Sequence, residues 1–283
     1  MVSANQAPHV FADLELARRL ERAEAHSNAK FVEARARVYP GYGSAWIEVA
    51  GAYAMYDGAA SPTTQTFGLG LFEPATAAAL EALEHFFSDR GAPVFHEVSP
   101  LAGIELAGLL AERRYRPVEF TSVLYRPLGR SPEASPAPNP RMRVRPIGST
   151  EGEVWAQTAA RGWSEHPELT EYLLELGPLS TEREDSVSFL AEIDGAPVAA
   201  GALSLSGGVA LLAGACTIPE ARKQGAQLAL LEARLGYAAA KGCTVAMMCA
   251  LPGSASQRNA ERHGFRIAYT RVKWQLIPPV DDD

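Results

Sequence analysis

The sequence of 283 residues predicts an α/β fold that is built from two similar halves. Short apolar strands alternate with amphipathic helices, in nearly the same order on either side of a proline-rich stretch. That stretch is Ser131–Pro140, in which four of ten residues are proline and no side chain is large and apolar. Such a composition is typical of a stiff, extended linker. We therefore predict one domain over 1–130, a linker over 131–140 and a second domain over 141–283.

The first half is predicted to begin with a helix over 12–25, because Leu14, Leu16 and Leu20 recur at helical spacing. Pro74 near the start of a later apolar pattern favours a second helix there. The remaining elements follow from short β-branched or aromatic runs and from glycine and proline positions. The predicted elements are a strand at Phe31–Val38, a loop at Tyr39–Ser44, a hairpin of Ala45–Val49 and Ala52–Tyr56, a strand at Thr64–Leu71, a helix at Pro74–Arg90, a strand at Val94–Val98, a helix at Ile104–Arg113 and a strand at Val118–Tyr125.

The elements of the second half are predicted from the same kinds of signal. Asp194-Gly195 lies between two apolar runs and is a strong hairpin-turn signal, and Gly242 follows a long helical pattern in the position that ends helices. The predicted elements are a strand at Arg141–Ile147, helices at Glu151–Gly162 and Glu168–Leu176, strands at Val187–Ile193, Ala196–Ser204 and Val209–Thr217, a helix at Ala226–Lys241, a strand at Cys243–Ala250, a helix at Ser254–His263 and a strand at Arg266–Leu276.

Short matches about 150 positions apart support an internal duplication. Arg90-Gly91 followed by Val94 corresponds to Lys241-Gly242 followed by Val245, and Ala111-Glu112-Arg113 corresponds to Ala260-Glu261-Arg262. The matches occur in the same order in both halves, and the offset changes by a few residues, as insertions in turns would produce. We interpret the two halves as a degenerate tandem repeat.

Composition excludes several classes of protein. A formal net charge of −7 argues against a general nucleic-acid binder. The cysteines, Cys216, Cys243 and Cys249, lie in apolar runs and predict reduced, buried thiols, and the spacing of Cys and His predicts no metal site. The sequence shows neither a signal-peptide pattern nor an 18-residue apolar stretch. We expect a cytoplasmic protein with no membrane or nucleic-acid partner, as a monomer or a homodimer.

The stretch Ala215–Leu231 carries the clearest functional pattern. An apolar strand ends at Thr217, a turn with Pro219 follows, and the basic loop Arg222–Gln227 opens directly into a helix. Backbone N–H groups and the positive end of the helix then point at one place, which suits a phosphate, and Gly225 allows close approach of the backbone. A plain strand-to-helix turn with solvated basic residues is the alternative.

This order of elements resembles the GCN5-related N-acetyltransferase (GNAT) superfamily. The resemblance is carried by Thr217–Gln227, with its Arg-x-x-Gly spacing, and by Ser256–Phe265, a helix that ends in Gly264-Phe265. It covers about residues 141–277, and the first half repeats the order of elements. The resemblance implies a tandem GNAT protein, each half with a mixed, mostly antiparallel central sheet flanked by helices.

The resemblance also implies a co-substrate and its contacts. In the family the loop holds the pyrophosphate of acetyl-CoA, and the preceding strand pairs with the pantetheine arm. The amine of an acceptor attacks the thioester directly, without a covalent enzyme intermediate. The residues implied to bind acetyl-CoA here are Ala215, Cys216, Thr217, Arg222, Lys223, Gln224, Gly225, Ala226, Gln227, Ser254, Ser256 and Asn259.

Two positions depart from the family pattern. The loop motif ends in Gly or Ala, whereas this chain has Gln227, whose side chain must point away from the pyrophosphate or hydrogen-bond to it. The family often has a Tyr five residues before the Phe of the Gly-Phe pair, and this chain has Ala260. The acid for the departing thiolate is therefore unassigned. Glu165 and His166 are candidates for the general base, against the alternative that both are merely solvated.

The corresponding loop of the first half, Leu69–Thr76, contains no basic residue and places Glu73 and Pro74 opposite Gln224 and Gly225. A carboxylate repels a phosphate and proline lacks an N–H, so we predict that the first half does not bind acetyl-CoA. We expect the whole protein to be an acetyl-CoA-dependent N-acetyltransferase with an unknown amine acceptor. A non-catalytic acyl-CoA sensor or interaction module is the alternative, and another nucleotide-binding α/β enzyme is a weaker one.

Overall fold

A computed structural model describes residues 10–129 and 139–278. Most of the predicted linker, 131–138, lies outside the described residues. The elements of the first half are α1 (Leu14–Val38), β1 (Ala45–Val49), β2 (Ala52–Tyr56), β3 (Gln65–Phe67), α2 (Ala77–Ser88), β4 (Phe95–Val98), α3 (Ile104–Glu112) and β5 (Tyr115–Pro127). Those that follow are β6 (Met142–Pro146), α4 (Gly152–Gly162), α5 (Thr170–Glu182), β7 (Ser186–Ile193), β8 (Ala196–Ser206), β9 (Val209–Thr217), α6 (Ala226–Ala240), β10 (Val245–Ala250), α7 (Ala255–Arg262) and β11 (Arg266–Leu276).

The predicted strand at Phe31–Val38 is wrong, because α1 is a single helix of 25 residues. Asp13 caps its start, accepting a hydrogen bond from the Leu16 backbone N–H at 2.9 Å. Between Leu14 and Val38 the sequence has no Gly or Pro that would end the helix. Phe31 and Val32 are buried together with Arg35, so this apolar run forms a helix face.

Two compact units divide the chain. Unit 1 contains Arg126–Met248, and unit 2 contains Val10–Tyr125 together with the chain from Cys249 onward. The units therefore group residues differently from the predicted domains 1–130 and 141–283. The reason lies in unit 2, where β11 is hydrogen-bonded in antiparallel register to both β4 and β5.

The sheet of unit 1 has the strand order β6-β7-β8-β9-β10. The β6–β7, β7–β8 and β8–β9 pairs are antiparallel, whereas β9 and β10 are parallel and are connected through α6. The predicted turn at Asp194-Gly195 is confirmed, since both residues have positive φ angles, 52° and 83°. Successive residues of β7 point to opposite faces: Leu190 packs with Trp155 of α4, and Phe189 contacts the Tyr237 ring of α6.

Helices α4 and α5 cross with almost no space between their backbones. A Cβ atom placed on Gly152 would lie 2.2 Å from the Gly177 carbonyl oxygen, whereas a Cβ on Gly177 would lie 3.2 Å from the Gly152 oxygen. The two glycines therefore set how closely the helices approach each other.

The strands of unit 2 repeat this pattern, in the order β1-β2-β3-β4-β11-β5. Strands β3 and β4 are parallel and are connected through α2, as β9 and β10 are through α6. The predicted α/β class with a mixed, mostly antiparallel sheet flanked by helices is confirmed. No helix in the two described stretches is both long and apolar enough to cross a membrane.

Unit 2 buries a group of charges between α1 and β11. The Arg271 guanidinium Nη1 lies 2.6 Å from Glu24 Oε2 and 3.4 Å from Glu21 Oε1, and the Tyr269 hydroxyl donates to Glu21 Oε1 at 2.8 Å. Burial raises the pKa of Glu21 from 4.5 to about 7, although Arg271 opposes the shift.

Candidate functional site

Strands β9 and β10 separate after three paired residues. The parallel register joins Val209 to Val245 and ends at the pair of Leu211 with Met247. Strand β9 nevertheless continues to Thr217, still paired with β8 on its other side. The edge of β9 beyond Leu211 is therefore not occupied by β10 within unit 1, and Ala213 and Gly214 are exposed there.

A β-bulge lies in this open part of β9. Ala202 pairs with Ala213 and Ala200 pairs with Cys216, so Gly201 alone stands opposite Gly214 and Ala215. Gly214 has a φ of 61°, a left-handed conformation that favours glycine. The bulge turns backbone groups of β9 away from β8 at the point where β10 has separated.

The guanidinium of Arg234, on α6, is buried behind this bulge. Its Nη1 donates to the carbonyl oxygens of Ala202 at 3.0 Å and Ala213 at 3.3 Å, and its Nε donates to Leu230 O at 3.2 Å. A Cβ on Gly201 would lie 3.2 Å from the guanidinium carbon, so a larger residue at this position would push the Arg234 side chain aside. Burial lowers the pKa of Arg234 to about 10, which leaves it charged at neutral pH.

The loop predicted to hold a phosphate leads directly into α6. Pro219–Ala221 forms a 3-10 turn, Lys223 adopts a left-handed φ of 64°, and Gly225 occupies the N-cap position with a φ of 88°. No described side chain caps α6. The first N–H groups of a helix have no partner within it, so those of this first turn are free for a ligand. Arg222 and Lys223 are exposed beside them.

Two side chains of the loop are held by neighbours in unit 1. Gln227 Nε2 donates to Thr217 Oγ1 at 3.1 Å, so its amide is directed at the end of β9. Arg222 Nη1 lies 2.6 Å from Glu165 Oε1, which precedes α5. The hydrogen bond from Arg222, together with its charge, lowers the pKa of Glu165, which makes that carboxylate a weaker base. His166 is exposed, and its Nδ1 lies 3.2 Å from Glu168 Oε1.

Ala215 is half-buried, and Cys216 and Thr217 are buried at the end of β9. The Cys216 Sγ lies 3.7 Å from the Ala159 carbonyl oxygen, and a Cβ on Gly162 would lie 2.5 Å from that sulfur. Burial raises the pKa of Cys216 to about 11. The thiol is thus a neutral packing group between α4 and β9.

The other predicted contacts lie in unit 2. Ser254 caps α7 by accepting a hydrogen bond from the Gln257 N–H at 3.1 Å, Ser256 is exposed, and the Asn259 carbonyl lies 2.7 Å from His263 Nδ1. Ala260, which replaces the family tyrosine, is buried.

The corresponding loop of the first half borders a cavity of about 370 Å³ in unit 2. Glu73 and Pro74 line it, as does Glu105 of α3. The cavity also contains Arg18, whose Nε donates to Leu71 O at 2.7 Å. The loop sequence itself has no positive charge. Arg18 of α1 supplies one next to the loop and donates to its Leu71 carbonyl.

Comparison with known proteins finds a family model that matches part of the second half. Residues 153–265 match the model of the acetyltransferase (GNAT) family. This part of the chain is therefore similar to a GNAT domain. No curated protein sequence matches the chain.

Solved structures extend the GNAT likeness to both halves. A GCN5-related N-acetyltransferase from Kribbella flavida is 20% identical, with a TM-score of 0.65 over 93% of this chain and 96% of its own. One from Sphaerobacter thermophilus is 16% identical, with a TM-score of 0.58 over 98% and 96%. A tandem GNAT protein from the clavulanic acid biosynthesis pathway is 14% identical, with a TM-score of 0.62 over 96% and 98%. At these identities the matches establish the fold, and their coverage fits a tandem GNAT architecture.

Sequence reasoning missed the bulge in β9 and the arginine behind it. Glycines inside strand patterns, here Gly201 and Gly214, are a signal for a bulge or a close contact. No comparable signal marks Arg234, because an arginine on a helix is ordinarily exposed.

Proposed function

We propose that the protein transfers an acetyl group from acetyl-CoA to the amine of an acceptor. Three features of unit 1 together carry the proposal. The parallel strands β9 and β10 separate, the open edge of β9 has a bulge, and the loop with Gly225 leads into α6. The separated edge offers backbone groups to the pantetheine arm. The loop offers N–H groups and positive charge to the pyrophosphate.

Different loop residues would make different contacts with the pyrophosphate. The N–H groups around Gly225 would donate to phosphate oxygens, and Arg222 and Lys223 would add charge. Gln227 is compatible with this role because its amide hydrogen-bonds to Thr217 Oγ1. In binding pyrophosphate, Arg222 would exchange its contact with Glu165 for the phosphate oxygens.

The chemistry follows from this placement. The acceptor nitrogen attacks the thioester carbon, the carbon–sulfur bond breaks, and the amine loses a proton while the thiolate leaves. A backbone N–H of the open edge stabilises the charge that develops on the carbonyl oxygen. We assign the base to Glu165 once Arg222 has released it, or to His166, which lies next to it.

A matched pair of glycine variants tests the cofactor loop. Gly225 and Gly242 lie at opposite ends of α6 with φ angles of 88° and 82°, so Gly→Ala introduces similar backbone strain at both. We expect Gly225→Ala to weaken acetyl-CoA binding about tenfold by crowding the phosphate, and Gly242→Ala to leave it unchanged. Isothermal titration calorimetry measures both. Equal effects of the two variants would contradict the loop assignment.

Turnover is tested separately from binding. Release of free CoA thiol in the presence of small amines, polyamines, aminoglycosides and peptide N-termini reports acetyl transfer. The buried Ala260 at the family tyrosine position favours a second candidate, a non-catalytic acyl-CoA sensor. Tight binding without thiol release across the whole panel would support the sensor and contradict the enzyme.

A further inference from the structure

Arg234 is a buried cation whose hydrogen bonds lead to the backbone of the open edge. The residue is 3% exposed, and its Nη1 donates to the carbonyl oxygens of both Ala202 and Ala213. No carboxylate among the described residues pairs with it. Its pKa is influenced by its burial and by Cys216, whose thiol is neutral. A charge left without a counter-ion in the interior is costly, so its position calls for an explanation beyond packing.

The geometry of one peptide group connects Arg234 to the open edge. In a trans peptide the C=O and the following N–H point in opposite directions. The Ala213 carbonyl points at Arg234, on the side where β9 faces β8. The Gly214 N–H therefore points to the other side of β9, which β10 does not occupy within unit 1.

Hydrogen bonds within a chain strengthen one another, because a donor to a carbonyl oxygen polarises the whole peptide group. The guanidinium donates to Ala213 O with a full positive charge in a buried environment, where such a field is weakly screened. The Gly214 N–H thus becomes a stronger donor. Its direction is fixed as well, because Arg234 holds the bulge by both flanking carbonyls.

We infer that Arg234 is a positioning residue, which orients and polarises the Ala213–Gly214 peptide so that the Gly214 N–H donates to the thioester carbonyl. The inference rests on the proposed function, since it requires acetyl-CoA to lie along the open edge of β9. Arg234 itself does not touch the reacting atoms. Its charge reaches them through one peptide group.

The test uses the full chain and acetyl-CoA labelled with ¹³C at the thioester carbonyl. Difference infrared spectroscopy measures the shift of the carbonyl stretch to lower frequency on binding. We expect Arg234→Gln, which keeps an amide donor but loses the charge, to lose most of this shift, and Arg234→Lys to retain most of it. If the amine panel identifies an acceptor, kcat should fall about tenfold in Arg234→Gln while KM for acetyl-CoA stays within twofold.

Arg145→Gln is the matched control for general destabilisation. Arg145 also loses a guanidinium in unit 1, together with its hydrogen bonds to Glu151 and Glu192, but lies at β6. We expect its carbonyl shift to equal that of the wild type. If Arg234→Gln does not fold, NMR of the wild type provides the test. The chemical shift of the Gly214 amide proton should move downfield with acetyl-CoA and not with CoA, which has no thioester carbonyl.

The outcomes separate the two proposals. Failure of the wild type to bind acetyl-CoA would overturn the proposed function and this inference with it. Binding with an unchanged carbonyl shift in Arg234→Gln, or an equal response of Gly214 to both ligands, would overturn the role of Arg234 alone.

Discussion

The crossing of α4 and α5 gives a prediction whose size follows from the structure. In Gly152→Ala the new methyl would lie 2.2 Å from the Gly177 oxygen and 2.9 Å from its carbon, both backbone atoms that cannot rotate away. Relief requires α5 to move by about 1 Å, and such overpacking typically costs about 1–3 kcal/mol. Because Gly152 is the first residue of α4, the helix propensity of alanine offsets little of this cost.

Gly177→Ala adds the same methyl from the other side of the same crossing. Its Cβ would lie 3.2 Å from the Gly152 oxygen, a contact that a shift of a few tenths of an ångström relieves. Gly177 is inside α5, where replacing glycine by alanine gains about 0.5–1 kcal/mol, so we expect this variant to be near neutral. Urea unfolding followed by circular dichroism measures both. A Gly152→Ala protein as stable as the wild type, or a Gly177→Ala protein that is the less stable one, would refute the reasoning.

Three further predictions concern charge and titration. Because folding raises the pKa of Glu21 from 4.5 to about 7, the native state keeps a proton that the unfolded chain loses, and this group lowers stability by about 3 kcal/mol as pH rises from 4.5 to 7. Glu21→Gln should therefore gain stability relative to the wild type between pH 5 and pH 8 in urea unfolding, and a pH-independent difference would contradict the shift. Glu165→Gln should tighten acetyl-CoA binding about two- to threefold in calorimetry, because Arg222 no longer has a competing carboxylate; weaker binding would count against that competition. Burial raises the pKa of all three cysteine thiols, so the native protein at pH 8 should show no fast-reacting thiol with a disulfide reagent, and one reactive thiol per chain would disprove this.

Periodicity and turn residues predicted most of the fold. The hairpin of β1 and β2, the turn at Asp194-Gly195 and the long strand β11 follow from local signals that tertiary contacts do not override. The strand predicted at Phe31–Val38 was wrong because a short apolar run fits a strand or a helix face equally well. The pairing of β11 with β4 and β5 depends on contacts between distant residues, which no local pattern contains.

The candidate site, too, could be predicted only in part from the sequence. The loop with Gly225 could be predicted because its function requires particular residue types at fixed spacing. The separation of β9 from β10 could not, since it concerns where a hydrogen-bond register stops. Arg234 was missed because its importance comes from burial, and an arginine in a helical pattern indicates exposure.

The position of β11 has a consequence for biosynthesis. The described residues of unit 1 come from Arg126–Met248, whereas in unit 2 β11 pairs with both β4 and β5, which the ribosome makes about 140–180 positions earlier. Until residues 266–276 have emerged, β4 and β5 present unpaired edges to a crowded cell. The described strands of unit 1 are all made before β11, whereas the sheet strands of unit 2 are complete only once this last strand has emerged.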